Sequence, residues 1–153
     1  MHDRLIKLLA LSKKIRESRD LKDFGFHAVN ETLNVVPYKQ AVFWVETAKG
    51  ENFKAISGNQ ILDSQSSYTQ ALKAVIRDKK AVQEESGDAE DSLIFIDRQE
   101  IGGSYPDQKK NFGDISVSIV FLKSWSGDIL GGLWLEHDTS PDDQDRLLLR
   151  EIS

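Results

Sequence analysis

Between Ser116 and Lys123 the chain alternates, with Val117, Ile119 and Phe121 on one side and Ser116 and Ser118 on the other. Val120 and Leu122 make the second side apolar in part, so the segment reads as a strand covered on both faces. Ser124-Trp125-Ser126-Gly127-Asp128 supplies a turn, where Gly127 takes a positive φ at little cost. Ile129 to Glu136 returns the chain, with Leu133 and Leu135 on one face and Trp134 on the other. Gly131-Gly132 inside a strand marks a bulge, or a place where another element packs closely on the backbone. Gln40 to Thr47 holds the unbroken apolar run Ala41-Val42-Phe43-Trp44-Val45, the pattern of a central strand. A turn at Lys49-Gly50-Glu51-Asn52 leads to a strand from Phe53 to Ser57. There Phe53 and Ala55 stand opposite Lys54 and Ile56, a mixed pattern that suits the sheet edge.

Helical spacing fills the rest. Arg4 to Arg16 places Leu5, Leu8, Leu9 and Ile15 on one stripe. Asp20 caps a second helix that runs to about Val35 and ends at Pro37. Leu21, Phe24, Ala28, Thr32 and Val35 line its main face, while Phe26 and Leu33 sit on another. Such a helix is buried twice, against the first helix or against a second copy of the chain. Ser66 or Ser67 caps a helix to about Lys79, with Tyr68, Leu72, Val75 and Ile76 on its apolar face. Ala81 to Glu85 reads as a short strand, residues 86–91 as an acidic loop, and Leu93 to Ile96 as either a short buried strand or one helical turn.

Asp97 to Asp114 reads as an irregular segment with Gly102-Gly103, Tyr105-Pro106, Lys109-Lys110 and Gly113. Unstructured loops longer than ~12–15 residues are uncommon in compact domains and tend to be lids or binding loops. Ser140 as N-cap, Pro141 at the first helical position and Asp142-Asp143 against the helix dipole open a last helix. Leu147, Leu148 and Ile152 continue an apolar pattern up to Ser153, so the expectation is one domain over 1–153 belonging to a longer protein.

Composition narrows the function classes. A net charge of -5 with no basic patch interleaved with aromatics argues against a nucleic-acid partner. No apolar run approaches the ~18 residues of a membrane helix, so no direct membrane insertion is expected. The chain has no cysteine, which removes disulfides, thiolate nucleophiles and cysteine zinc sites and suits a reducing, cytoplasmic setting. His2, His27 and His137 are far apart, and His137 reads as a strand-end polar residue rather than a metal ligand. The pairs Glu84-Glu85, Glu90-Asp91 and Asp142-Asp143 are neighbours that do not converge on one substrate. With no Gly-x-Ser-x-Gly elbow and no phosphate-binding glycine loop, the expectation is a non-enzymatic domain.

The order helix, helix, strand, strand, helix, loop, strand, strand, helix resembles a GAF domain. Ile129-Leu130-Gly131-Gly132-Leu133-Trp134-Leu135-Glu136 resembles that family's penultimate "hydrophobic-Gly-hydrophobic-Leu" strand, and Phe112-Gly113-Asp114-Ile115-Ser116-Val117 the "Gly-hydrophobic-x-Ser" run before it. Leu21 to Val36 followed by Gln40-Ala41-Val42-Phe43-Trp44 resembles the family's second helix and first strand. Phe121-Leu122 stands where the family often has a proline.

The resemblance implies an α/β (α+β) fold: a central antiparallel sheet with the N- and C-terminal helices on one face and a helix- and loop-covered pocket on the other. It places Tyr68, Leu72, Phe95, Tyr105, Lys109 and Phe112 at a small-molecule pocket of a sensory or regulatory domain. It also leaves a second form open, a collapsed pocket in a homodimer through the terminal helices, with Leu9, Phe26, Leu33 and Leu148 at the interface. The family's cyclic-nucleotide residues do not lie along this chain in order. Its cysteine-dependent pigment and sulfoxide chemistries have no cysteine to use here. No cofactor is named by these residues.

Overall fold

A computed structural model describes residues 27–30, 32, 36–57, 65–86, 92–123 and 128–152. The first expected helix, most of the second, the Trp125 turn and the expected interface residues Leu9, Phe26 and Leu33 lie outside the described residues. Residues 27–30 are helical, as the second helix requires.

The described strands are β1 (Gln40–Thr47), β2 (Gly50–Ile56), β3 (Leu93–Ile96), β4 (Ser116–Lys123) and β5 (Ile129–His137). They form a single sheet in the order β2-β1-β5-β4-β3, with every neighbouring pair antiparallel. The apolar run of β1 lies inside the sheet and mixed β2 at its edge, as their patterns require. The helices are α1 (Ser67–Ser86), α2 (Arg98–Ser104), α3 (Pro106–Phe112) and α4 (Asp143–Ile152).

The two sheet faces have separate cores. On one, Val42, Trp44, Val117, Ile119, Phe121 and Trp134 pack with Leu72, Val75 and Ile76 of α1 and with Ile101, Tyr105 and Phe112. On the other, Ala41, Phe43, Val120, Leu133 and Leu135 pack with Ala28, Val29 and Val36 and with Leu148 and Leu149 of α4. The period-2 readings of β4 and β5 thus assign each side chain to its core.

Gly132 is where another element comes close. A Cβ there would lie 2.3 Å from Cη2 of the Trp44 ring and 2.7 Å from the Val120 carbonyl oxygen. The Trp44 indole from β1 therefore lies across the β5 backbone, and its ring meets Phe121 edge-on at 5.9 Å.

Four local readings are corrected. Residues 81–85 continue α1 rather than forming a strand, because Ala81-Val82-Gln83-Glu84-Glu85 holds no breaker before Gly87. In β2, Lys54 is an extra residue between the pairs Phe43↔Ala55 and Trp44↔Phe53. That bulge puts Phe53 and Ile56 on the α1 side and Ala55 on the other, which breaks simple alternation.

The segment 97–114 is not irregular but two short helices. Asp97 caps α2 by accepting from the Glu100 N–H at 2.8 Å, and Pro106 begins α3. The fourth correction concerns α4, whose cap is Asp142 rather than Ser140. Asp142 Oδ1 accepts from the Asp145 N–H at 2.7 Å, and Asp145 Oδ2 accepts from the Asp142 N–H at 3.0 Å. Ser140 instead shares a hydrogen bond with Ser116. Leu93–Ile96, open between two readings, is a strand paired with β4.

Candidate functional site

The space between the sheet and the helices α1, α2 and α3 is where the resemblance places a pocket. Among the described residues, side chains pack against one another there. Leu72 and Trp134 are fully buried there, with Phe112 and Tyr105 nearly so. The Phe112 ring meets Tyr68 edge-on at 5.9 Å and Trp134 at 5.3 Å. Of the expected ligand residues, Tyr68, Leu72, Tyr105 and Phe112 are brought together in this core. Phe95 is not, because it alternates with Ile94 and Ile96 and faces the opposite side. There the Arg146 guanidinium lies 4.2 Å from its ring centre. Lys109 is exposed on α3, its side chain running past Gly102.

A polar chain runs through this apolar packing. Glu136 shares the inward face of β5 with Trp134 and is 4% exposed. Its carboxylate accepts from the Tyr68 hydroxyl and, at 3.1 Å, from the Trp134 indole N–H. Tyr68 in turn accepts from the Gln40 amide at 2.6 Å. Burial pushes the Glu136 carboxyl above its ordinary 4.5, partly offset by the Tyr68 and Trp134 hydrogen bonds and the Lys39 charge. Burial, then the nearby Glu136 charge and hydrogen bond, pushes the Tyr68 phenol further up. Tyr105 is locked similarly. Its hydroxyl donates to Asp78, the Lys79 ammonium lies 5.8 Å from its ring, and Lys79 pairs with Glu100 at 2.6 Å. Burial, then Asp78, pushes this phenol up as well.

His137 lies at the end of β5 on the other face, fully buried. A carbonyl can only accept, so Nδ1–H donates to Pro37 O at 2.8 Å. Nε2 is then left to accept the Ser118 hydroxyl at 2.8 Å. Burial lowers the His137 pKa, opposed by the Pro37 bond and the Asp145 charge. Both ring nitrogens thus serve to hold β5 to β4 and to the entry of β1. Among the described residues, no cluster of His, Asp or Glu is disposed to hold a metal ion. These groups are occupied with one another and hold the fold; the Ser118–His137 pair is fully buried, with both ring nitrogens engaged. Sequence reading missed Glu136, although its parity with Trp134 was the signal that a charge would sit in the core.

The two buried groups act oppositely on pH dependence. A raised carboxyl pKa contributes stability that is fully present below 4.5 and lost as pH rises through the folded value. A lowered histidine pKa contributes stability that is present above 6.5 and lost as pH falls through the folded value. Glu136→Gln removes the first effect and keeps an oxygen acceptor for Tyr68 and Trp134. Its expected result is a higher Tm than wild type at pH 8, with the gap closing toward pH 4.5. Thermal melts across that range check it.

The architecture is an antiparallel five-stranded sheet between a helical layer of α1, α2 and α3 and a second layer containing α4. This is the α+β class with GAF topology, and solved structures agree. No family model and no curated protein matches the sequence. Among solved structures, the GAF domain of a phosphoenolpyruvate-protein phosphotransferase from Coxiella burnetii superposes with a TM-score of 0.67 at 10% identity, over 99% of this chain and 88% of that one. A domain of a two-component sensor histidine kinase protein from Sinorhizobium meliloti gives 0.60 at 14% identity, over 88% and 86%. The phytochrome photosensory core of Stigmatella aurantiaca gives 0.65 at 12% identity, over 97% of this chain and 35% of that one. The chain has the GAF-like fold. Among the described residues, no helix is long and apolar enough to cross a membrane.

Proposed function

We propose that this chain is a non-enzymatic regulatory module of GAF fold that works by self-association rather than through a ligand chamber under α1. The observation that carries this reading is the packing of Phe112 against Tyr68 and Trp134, with the Glu136 carboxylate already paired. The fold likeness to domains of a sensor histidine kinase and a phosphotransferase supports a regulatory role. It does so by analogy of fold.

The contact we assign to self-association is the outer face of α4. Leu148, expected at the interface, is buried within the chain, whereas Leu147 is 52% exposed. A leucine on an amphipathic helix's outer face is a natural anchor for a second copy through a two-fold contact. Leu147→Asp is expected to convert a dimer to monomer and leave the thermal melt within about 1 kcal/mol of wild type. Sedimentation velocity checks the first and circular dichroism the second. A variant that stays dimeric removes α4 from the interface.

A further inference from the structure

The sheet opens at one end. β1 and β5 pair from Gln40↔Glu136 to Val45↔Gly131 and no further, although β1 runs on to Thr47 beside β2 and β5 begins at Ile129. Gly131 marks the point of divergence. A Cβ there would lie 2.3 Å from the Trp44 carbonyl oxygen and 3.1 Å from the Val45 Cα, so the two backbones are pressed together where the ladder ends.

The next residue outward, Leu130, stands out of register with β4, between the pairs Leu122↔Gly131 and Lys123↔Ile129. It is a bulge residue and is 53% exposed. Bulges re-aim side chains and gather next to binding sites.

Beyond the pinch lies a cleft of about 320 Å³. Phe43, Val45 and Leu122 line it from one core, Trp44 and Ile129 from the other, and Leu130 stands at its edge. Glu46 is the charged residue in the lining, and its carboxylate is engaged. One oxygen accepts from the Trp44 indole N–H at 3.0 Å, the other from the Lys80 ammonium at 3.2 Å. The remaining surface is hydrocarbon and aromatic. A volume of this size falls at the lower end of the ~300–1,000 Å³ typical of small-molecule sites, and such sites are lined in this way.

We propose that this cleft is a binding site for an uncharged, apolar small molecule. Neutrality follows from the lining. An anion would face the Glu46 carboxylate, and a cation would compete with Lys80 for it. The site lies at the open end of the sheet, at the margin of the packed core under α1 rather than within it. It touches both cores, so an occupant would bind the two halves of the sheet together. The proposal stands independently of self-association.

The test is an NMR titration of the full 153-residue chain with indole, with indole-3-carboxylate as the charged control. Saturable shifts are expected at Val45, Glu46, Ile129, Leu130 and Gly131, with at least tenfold weaker binding of the carboxylate. Leu122→Phe and Val45→Phe each fill the cleft from a different strand. Each is expected to keep a native amide spectrum and to lose indole affinity at least tenfold. Shifts that do not saturate, that fall elsewhere on the chain, or that persist unchanged in whichever filling variant folds would overturn the site.

Discussion

Gly132→Ala is expected to destabilise the domain by about 3 kcal/mol, at the upper end of what overpacking a core costs. The added methyl has nowhere to go. It would stand 2.3 Å from Cη2 of Trp44 and 2.7 Å from the Val120 carbonyl oxygen, one a fully buried ring and the other the backbone of the neighbouring strand. For a chain of this length the loss corresponds to roughly 6–12 °C in Tm. The two contacts can be separated. Trp44→Leu removes the ring but not the carbonyl, so Gly132→Ala made in that background should cost less than in wild type by about 1–2 kcal/mol without becoming neutral. Urea denaturation of the four proteins of this cycle measures it. Strict additivity would mean that the indole does not lie across Gly132.

Phe112→Ala is expected to cost about 3–5 kcal/mol, the range for deleting a buried aromatic ring. Phe112 closes α3, just before Gly113, whose φ of 81° turns the chain toward β4. Its ring fills the space between Tyr68 and Trp134. If this region were instead a chamber that opens for a ligand, the ring would spend time displaced and its loss would cost little. The equilibrium unfolding free energy therefore separates a packed core from a gated pocket. A cost below about 1 kcal/mol would favour the pocket.

The sheet was legible because its signal is local and repeated. Val117, Ile119 and Phe121 against Val120 and Leu122, and Leu133 and Leu135 against Trp134, each sort to the core that their parity assigns. Where parity failed, at Phe53 and Ala55, a single bulged residue reversed it. No composition rule announces a bulge in advance. The 97–114 segment was misread because its glycines and proline look like loop. Yet Asp97 followed three residues later by Glu100, and Pro106 at a helix start, are helix-opening signals. The extra turns of α1 were missed because a short window over 81–85 cannot distinguish a helix's continuation from a strand.

The candidate site was legible only in part. Four of the side chains expected to converge do so, because helical spacing on α1 and the aromatics at the two ends of α3, Tyr105 and Phe112, face one sheet surface. That they would pack ring against ring depends on volumes and rotamers, which a residue list does not carry. The same limit hid the cleft near Leu130, which arises from two strands parting, and the pairing of Glu136 with Tyr68, residues far apart along the chain.

The most direct measurement of the central claim is the subunit count of the purified chain by native mass spectrometry at micromolar concentration, with Leu147→Asp run beside it. Self-association through α4 gives twice the chain mass for wild type and the single-chain mass for the variant. A wild-type chain that flies as a monomer across the concentration range would contradict the claim.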